Sequence, residues 1–144
     1  QLTDFTFAPG TDNRRFANAP DAGKRPLSSM TPTIAFDKDG KVFAVLGSVG
    51  GWRIIPHVTK TLIALIDWKM DMAAAIALPH TTSRTGPTEL EQSRGLDGTA
   101  EALRAMGHEV TLPVQTSGLN AIRVVNGGFD AAADPRREGT VDAD

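Results

Sequence analysis

Residues 46–55 read LGSVGGWRII, a β-prone run that breaks into glycines before an apolar pattern of helical spacing begins. Gly47, Gly50 and Gly51 fall within positions 47–51. A glycine loop between a strand and a helix lets backbone N–H groups approach something negative. Three familiar patterns fail on spacing. A P-loop needs a lysine directly after its last glycine, and a dinucleotide fingerprint needs G-x-G-x-x-G; neither fits. A nucleophile elbow needs serine at the centre of G-x-S-x-G, where Val49 stands. Two readings are left. The glycines allow close packing of a strand against a helix, or Gly50 and Gly51 aim N–H groups at an oxyanion, near the positive end of a helix.

A second polar cluster, GKRPLSSMTPTI at 23–34, holds Ser28 and Ser29 between Pro26 and Pro32. Adjacent serines commonly serve turns, and the same hydroxyls can bind a carboxylate or carbonyl. His57, His80 and His108 are far apart and show no H-x-x-x-H spacing, so no metal site is expected, and no cofactor. Thr11, Thr31, Thr33 and Ser48 lack a base at recognisable spacing to make them nucleophiles. Arg14-Arg15 and Arg136-Arg137 read as solvated surface charge.

These groups need elements to position them. TIAFD (33–37) and KVFAVL (41–46) flank Lys38-Asp39-Gly40, a hairpin signal. From Arg53 to Lys69 apolar residues recur at three-to-four spacing, predicting a helix buried on a broad face, with Pro56 in its first turn. Asp71 suits the cap of a short helix, MAAAIALP, and Asp97 that of a third, GTAEALRAMG, which Gly107 stops. HTTSRTGPTELEQS reads as loop leading to a strand at 88–92, and 108–112 and 120–125 as further strands. Asn126-Gly127-Gly128 turns into a last strand over 129–133, before a polar tail over 134–144 expected to fray. The order ββ-α-α-α-βββ predicts an α+β fold, an antiparallel sheet with helices on one face.

The 144 residues suit a single domain spanning 1–144. With 40% hydrophobic residues, a mean hydropathy of −0.18 and a net charge of −2, the composition is that of a soluble globular protein without the basic surface nucleic acid needs. The absence of cysteine excludes disulfides and thiol catalysis. No apolar run approaches the roughly 18 residues of a membrane span. The chain begins at Gln1 without an initiator methionine or a signal peptide, so the expectation is that an upstream segment has been removed.

QLTDF at 1–5, GKRPLSSMTPTI at 23–34 and GSVGGWRII at 47–55, supported by AMGHEV at 105–110 and AAADPRREG at 131–139, resemble the C-terminal part of the small subunit of gamma-glutamyltransferases (gamma-glutamyltranspeptidases). That family belongs to the N-terminal-nucleophile hydrolases. The resemblance implies part of an αββα layered fold, and gamma-glutamyl transfer or hydrolysis with glutathione-type donors. It implies that Gly50 and Gly51 form the oxyanion hole, that Ser28 and Ser29 hold the donor α-carboxylate, and that Gln1 and Asp4 bind its α-amino group. The family's threonine nucleophile and carboxylate-clamping arginine lie upstream and in a large subunit, so this chain alone is expected to be inert. A periplasmic or extracellular location is the family's implication. Thr3 stands for an acidic residue, Val49 for a proline and Trp52 for a small polar residue, Trp52 being read as packing. The alternatives are a non-catalytic, truncated relative acting as a self-associating or interaction module, and a related cephalosporin-type acylase.

Overall fold

The computed structural model describes residues 2–8, 10 and 15–142. Gln1, Thr11 and Arg14 lie outside the described residues. Strands β1 (Thr33–Phe36) and β2 (Val42–Gly47) form the expected hairpin, with Ile34 opposite Val45. Asp37 closes the turn: its Oδ1 accepts the N–H groups of Asp39 and Lys41, each at 2.9 Å. The glycine loop then enters a 3-10 turn, Gly51–Arg53, which runs directly into α1 (Ile54–Ile66). The buried stripe of α1 is Ile54, His57, Val58, Thr61, Ala64 and Leu65, the three-to-four spacing of the sequence.

Helix α2 (Met72–Ala77) starts at the expected cap, where Asp71 Oδ1 accepts the Ala74 N–H at 2.8 Å. Strands β3 (Thr81–Thr82) and β4 (Thr88–Leu90) pair antiparallel. Helix α3 (Asp97–Ala105) then crosses over to β5 (Val110–Thr111), which pairs parallel with β4. A parallel pair requires such a crossover, so the wholly antiparallel expectation is corrected here. Asp97 is the first residue of α3 and Leu96 its cap, with no side-chain cap bond; Asp97 contributes charge at the helix start instead.

Strands β6 (Asn120–Val125) and β7 (Gly128–Ala133) complete a four-stranded antiparallel sheet of order β1-β2-β6-β7. Helices α1 and α2 cover one face with a core of Leu46, Val58, Leu65, Met72, Ile76, Leu119 and Ala121. A smaller cluster of Leu90, Ala100 and Val110 seats α3 on the second sheet. On the other face of the first sheet, Ile34, Val45, Ile122 and Ala131 stand opposite one another in a row across all four strands. Ile34 is 57% exposed and Ile122 50%, so among the described residues nothing covers that apolar face.

The 134–144 segment does not behave as a frayed tail throughout. Arg136 is not solvated; its side chain is 5% exposed. It donates bidentately to Glu91 (2.6 and 2.7 Å), to Asp134 (3.2 Å), and to the carbonyls of Ile76 (3.1 Å) and Leu78 (2.9 Å). Glu91 follows β4, Asp134 follows β7, and Ile76 and Leu78 end α2, so one guanidinium joins both sheets and a helix. Removing one partner of a buried ion cluster strands the others without water. Arg136→Ala is therefore expected to cost ~3–5 kcal/mol, read from the urea midpoint by Trp52 and Trp68 fluorescence; a wild-type midpoint would show that the cluster is dispensable.

Candidate active site

Asp4, Ser29, Gly50 and Gly51 line one open pocket of about 480 Å³, together with Trp52 and Arg84. Four of the sequence-derived site residues, spread over nearly fifty positions, thus meet at one place. Ser28 does not reach the wall. Its Oγ accepts the Met30 N–H at 3.2 Å, a local turn bond.

Asn18 ties together the loops that carry Asp4 and Ser29. Its Nδ2 donates to the Asp4 carbonyl at 2.7 Å, its Oδ1 accepts the Leu27 N–H at 2.8 Å, and its own carbonyl accepts the Thr6 N–H at 3.0 Å. The stretch carrying Asp4 is thereby fastened to the one carrying Ser29.

The glycine loop owes its shape to backbone geometry. Gly50 has φ +134°, a conformation side chains rarely adopt. A Cβ there would lie 3.2 Å from His57 Cε1 and 3.5 Å from the Thr116 carbonyl oxygen. The loop is held from below by the 115–119 segment, where Gly118 leaves no room for a Cβ beside Val49 Cγ2 and its N–H reaches Ser48 Oγ at 3.4 Å. Neither the Gly50 N–H nor the Gly51 N–H donates to an acceptor among the described residues. Two adjacent free donors at the start of a helix suit a developing negative charge.

Trp52 is part of this wall, which corrects its reading as a packing residue. The Arg53 guanidinium lies 4.7 Å from its ring centroid, and Arg53 is itself clamped bidentately by Glu89 at 2.6 and 2.9 Å. Thr82 Oγ1 donates to the same carboxylate at 3.1 Å. Trp52, Ser29 and Arg84 also border an adjoining, mostly apolar groove of about 490 Å³ that runs along α1 to Trp68.

Behind the glycine loop lies a buried polar chain that no motif in the sequence announced. Lys60 Nζ sits 2.8 Å from His80 Nδ1 and donates to the carbonyls of Leu78 and Pro79, both at 2.8 Å. His80 Nε2 is 2.6 Å from Ser117 Oγ, which donates to Asp134. His57 stacks on His80 with ring centroids 3.9 Å apart. Position 57 does fall on the buried stripe of α1, so periodicity signalled its burial; its stacking partner, distant in sequence, it did not. Among the described residues no cluster of three or more His, Asp or Glu side chains could hold a metal.

Electrostatics follow from burial. Burial, with the charge of Lys60, pushes His80 down to about 3. Lys60 is lowered to about 7 by burial and then by Arg136. Burial opposes ionisation of Glu91, but the Arg136 fork, the His80 N–H and Arg94 outweigh it and hold the carboxyl at about 2. His57 is lowered by burial, against its contact with Gln115.

The α+β architecture is that of part of an N-terminal-nucleophile hydrolase, the class of the solved gamma-glutamyltranspeptidases to which the chain is similar. A family model described as Gamma-glutamyltranspeptidase matches residues 1–143, and the chain belongs to the gamma-glutamyltranspeptidase family. It is 38% identical over 143 residues to the glutathione hydrolase proenzyme of Escherichia coli, covering 94% of this chain and 24% of that protein. It is 36% identical to the acylase ACY 1 proenzyme of Pseudomonas sp. strain SE83, covering 96% of this chain and 24% of that protein. The crystal structure of a mutant Helicobacter pylori gamma-glutamyltranspeptidase is similar at a TM-score of 0.81 and 33% identity, covering 94% of this chain and 78% of that one. This chain spans about a quarter of the length of these curated relatives.

The shifts of His80 and Glu91 act on stability in the same direction. An unfolded His80 binds a proton below its ordinary 6.5, whereas folded His80 stays neutral to about 3. Unfolded Glu91 binds one below 4.5, and folded Glu91 only near 2. The unfolded state therefore holds more protons throughout this range, and stability falls as pH drops from 6.5 towards 2. Melting temperatures measured against pH are expected to show this decline, and His80→Asn is expected to flatten the limb between 6.5 and 4.5.

Proposed function

We propose that this chain supplies the donor-binding and oxyanion-stabilising part of an enzyme that transfers or hydrolyses gamma-glutamyl groups, with glutathione-type donors. The observation that carries this reading is the convergence of Asp4, Ser29 and the unpaired N–H groups of Gly50 and Gly51 on one pocket.

The donor's α-ammonium pairs with the Asp4 carboxylate, and Gln1 joins Asp4 in that role. Ser29 donates to the α-carboxylate, with Ser28 beside it in sequence. An N-terminal threonine from the upstream part of the enzyme adds through its Oγ to the γ-carbonyl carbon, and its α-amine takes the hydroxyl proton. The carbonyl oxygen becomes an oxyanion and meets the Gly50 and Gly51 N–H groups. Collapse breaks the C–N bond, and the departing amine takes the proton from the threonine amine. Water, or an acceptor amine, then cleaves the acyl-enzyme by the reverse steps. The rest of the small subunit and a large subunit cover the exposed row of Ile34, Val45 and Ile122, completing the αββα layers. The chain alone is inert, since it holds the donors without the nucleophile, and in the family's setting it works outside the cytoplasm, in the periplasm or the medium.

The 36% identity to an acylase supports a second reading, a donor with a glutaryl-type side chain lacking the α-ammonium. Asp4 on the pocket wall favours the amino-acid donor, because its carboxylate offers a charge partner to an α-ammonium. In the complete enzyme assayed with a gamma-glutamyl anilide, Asp4→Asn is expected to raise KM at least about tenfold, the order of one charge-assisted hydrogen bond. Its KM for a glutaryl anilide should not rise; equal effects on both donors would favour the acylase. Gly50→Ala keeps the N–H but forces the loop off its φ of +134°, and a donor so displaced is expected to lower kcat by up to about 10²–10³, with KM nearly unchanged. Retained kcat would overturn the oxyanion assignment.

A further inference from the structure

We infer that His57 is a positioning residue for the oxyanion loop: its ring edge sets where Gly50 lies and so which way the Gly50 and Gly51 N–H groups point. This inference rests on the reading of those two glycines as the oxyanion hole.

His57 is 1% exposed and lies wholly within the chain's own core. The edge of the ring carrying Cε1 and Nδ1 faces Gly50, at 3.2 and 3.4 Å from where a Cβ would stand, while the Thr116 carbonyl closes the space at 3.5 Å. The space into which a side chain of Gly50 would project is thus filled by a ring edge and a backbone oxygen. A slack wall at this point would let Gly50, whose φ is +134°, settle inward.

The ring is held in turn from its other side. His57 stacks on His80, interplanar angle 27°, and His80 is pinned at both nitrogens, by Lys60 and by Ser117. Ser117 is anchored on Asp134, which also accepts the Leu119 N–H at 3.0 Å. The position of the loop is thus referred back, ring by ring, to the Arg136 cluster. His57 Nε2 has only a long approach to Gln115 Oε1, 3.5 Å, and Nδ1 is buried with no hydrogen-bond partner among the described residues. A buried, unpartnered nitrogen is destabilising, and an aliphatic side chain would fill the space without that cost. What a histidine adds is a flat, rigid edge beside glycine backbone, stacked on a second flat ring.

The test uses the complete enzyme, with a gamma-glutamyl anilide as donor and a boronic-acid analogue of the gamma-glutamyl group as tetrahedral mimic. His57→Met refills the space without a rigid plane; His57→Phe restores the plane. If the ring edge sets the loop, His57→Met lowers kcat by roughly 10–100-fold, as small misplacements of catalytic groups do. It weakens boronate inhibition by a similar factor and leaves KM within about twofold, while His57→Phe recovers most of both losses. Wild-type kcat and boronate affinity in His57→Met would overturn the proposal, because bulk alone would then suffice. A failure of Phe to improve on Met would also overturn it. Gly50→Ala separates the two levels. If it abolishes boronate binding while His57→Met does not change it, only the role of His57 fails; if it changes neither kcat nor boronate affinity, the oxyanion reading fails and this proposal with it.

Discussion

The buried guanidinium of Arg136 is the constraint on which the rest of this structure depends. A charge withdrawn from water is tolerated only where its donors are met and its sign is matched. Here five N–H groups find five acceptors, on Glu91, Asp134, Ile76 and Leu78. Meeting those demands brings together the ends of α2, β4 and β7, three elements that are not consecutive in the chain. Glu91 and Asp134 then extend the order outward: Glu91 accepts the His80 N–H at 2.8 Å, and Asp134 fixes Ser117 and Leu119. The pocket is reached from there through two stacked imidazoles.

The pocket wall combines two kinds of group. From side chains it has the carboxylate of Asp4 and the hydroxyl of Ser29, on loops that Asn18 fastens together. From backbone it has the glycine loop, whose Gly50 and Gly51 N–H groups find no acceptor among the described residues and which packs from beneath on the 115–119 segment. Trp52 fixes one edge of the space, and its own setting comes from Arg53 and Glu89. Each functional group therefore has a second residue that holds it and makes no contact with the pocket's contents.

Much of the scaffold was legible because its signals are local. Asp39-Gly40 between β-prone runs announces the first hairpin, periodicity announces α1, and Asp71 announces α2. The site was legible through short motifs, to the level of which loops converge. It was not legible which of two neighbouring serines faces the pocket, since Ser28 and Ser29 have equal chemistry and only the path of the loop separates them. Strand β3 went unread because two residues carry no period, and the parallel pairing of β4 with β5 because strand signals have no direction. Arg136 was misread as surface charge because a polar, acidic and basic tail has the composition of a solvated one.

By itself, then, the sequence determined most of the elements and which short motifs to look for together. Turn chemistry, helical spacing and glycine conformational freedom act over a few residues and are written in consecutive letters. Only the tertiary structure decided what those groups rest on. The stack of His57 on His80, the Lys60–His80–Ser117–Asp134 chain and the fork of Arg136 on Glu91 join residues far apart along the chain. Their existence depends on burial and on the shape of the gap between two sheets, quantities that no single stretch of residues carries.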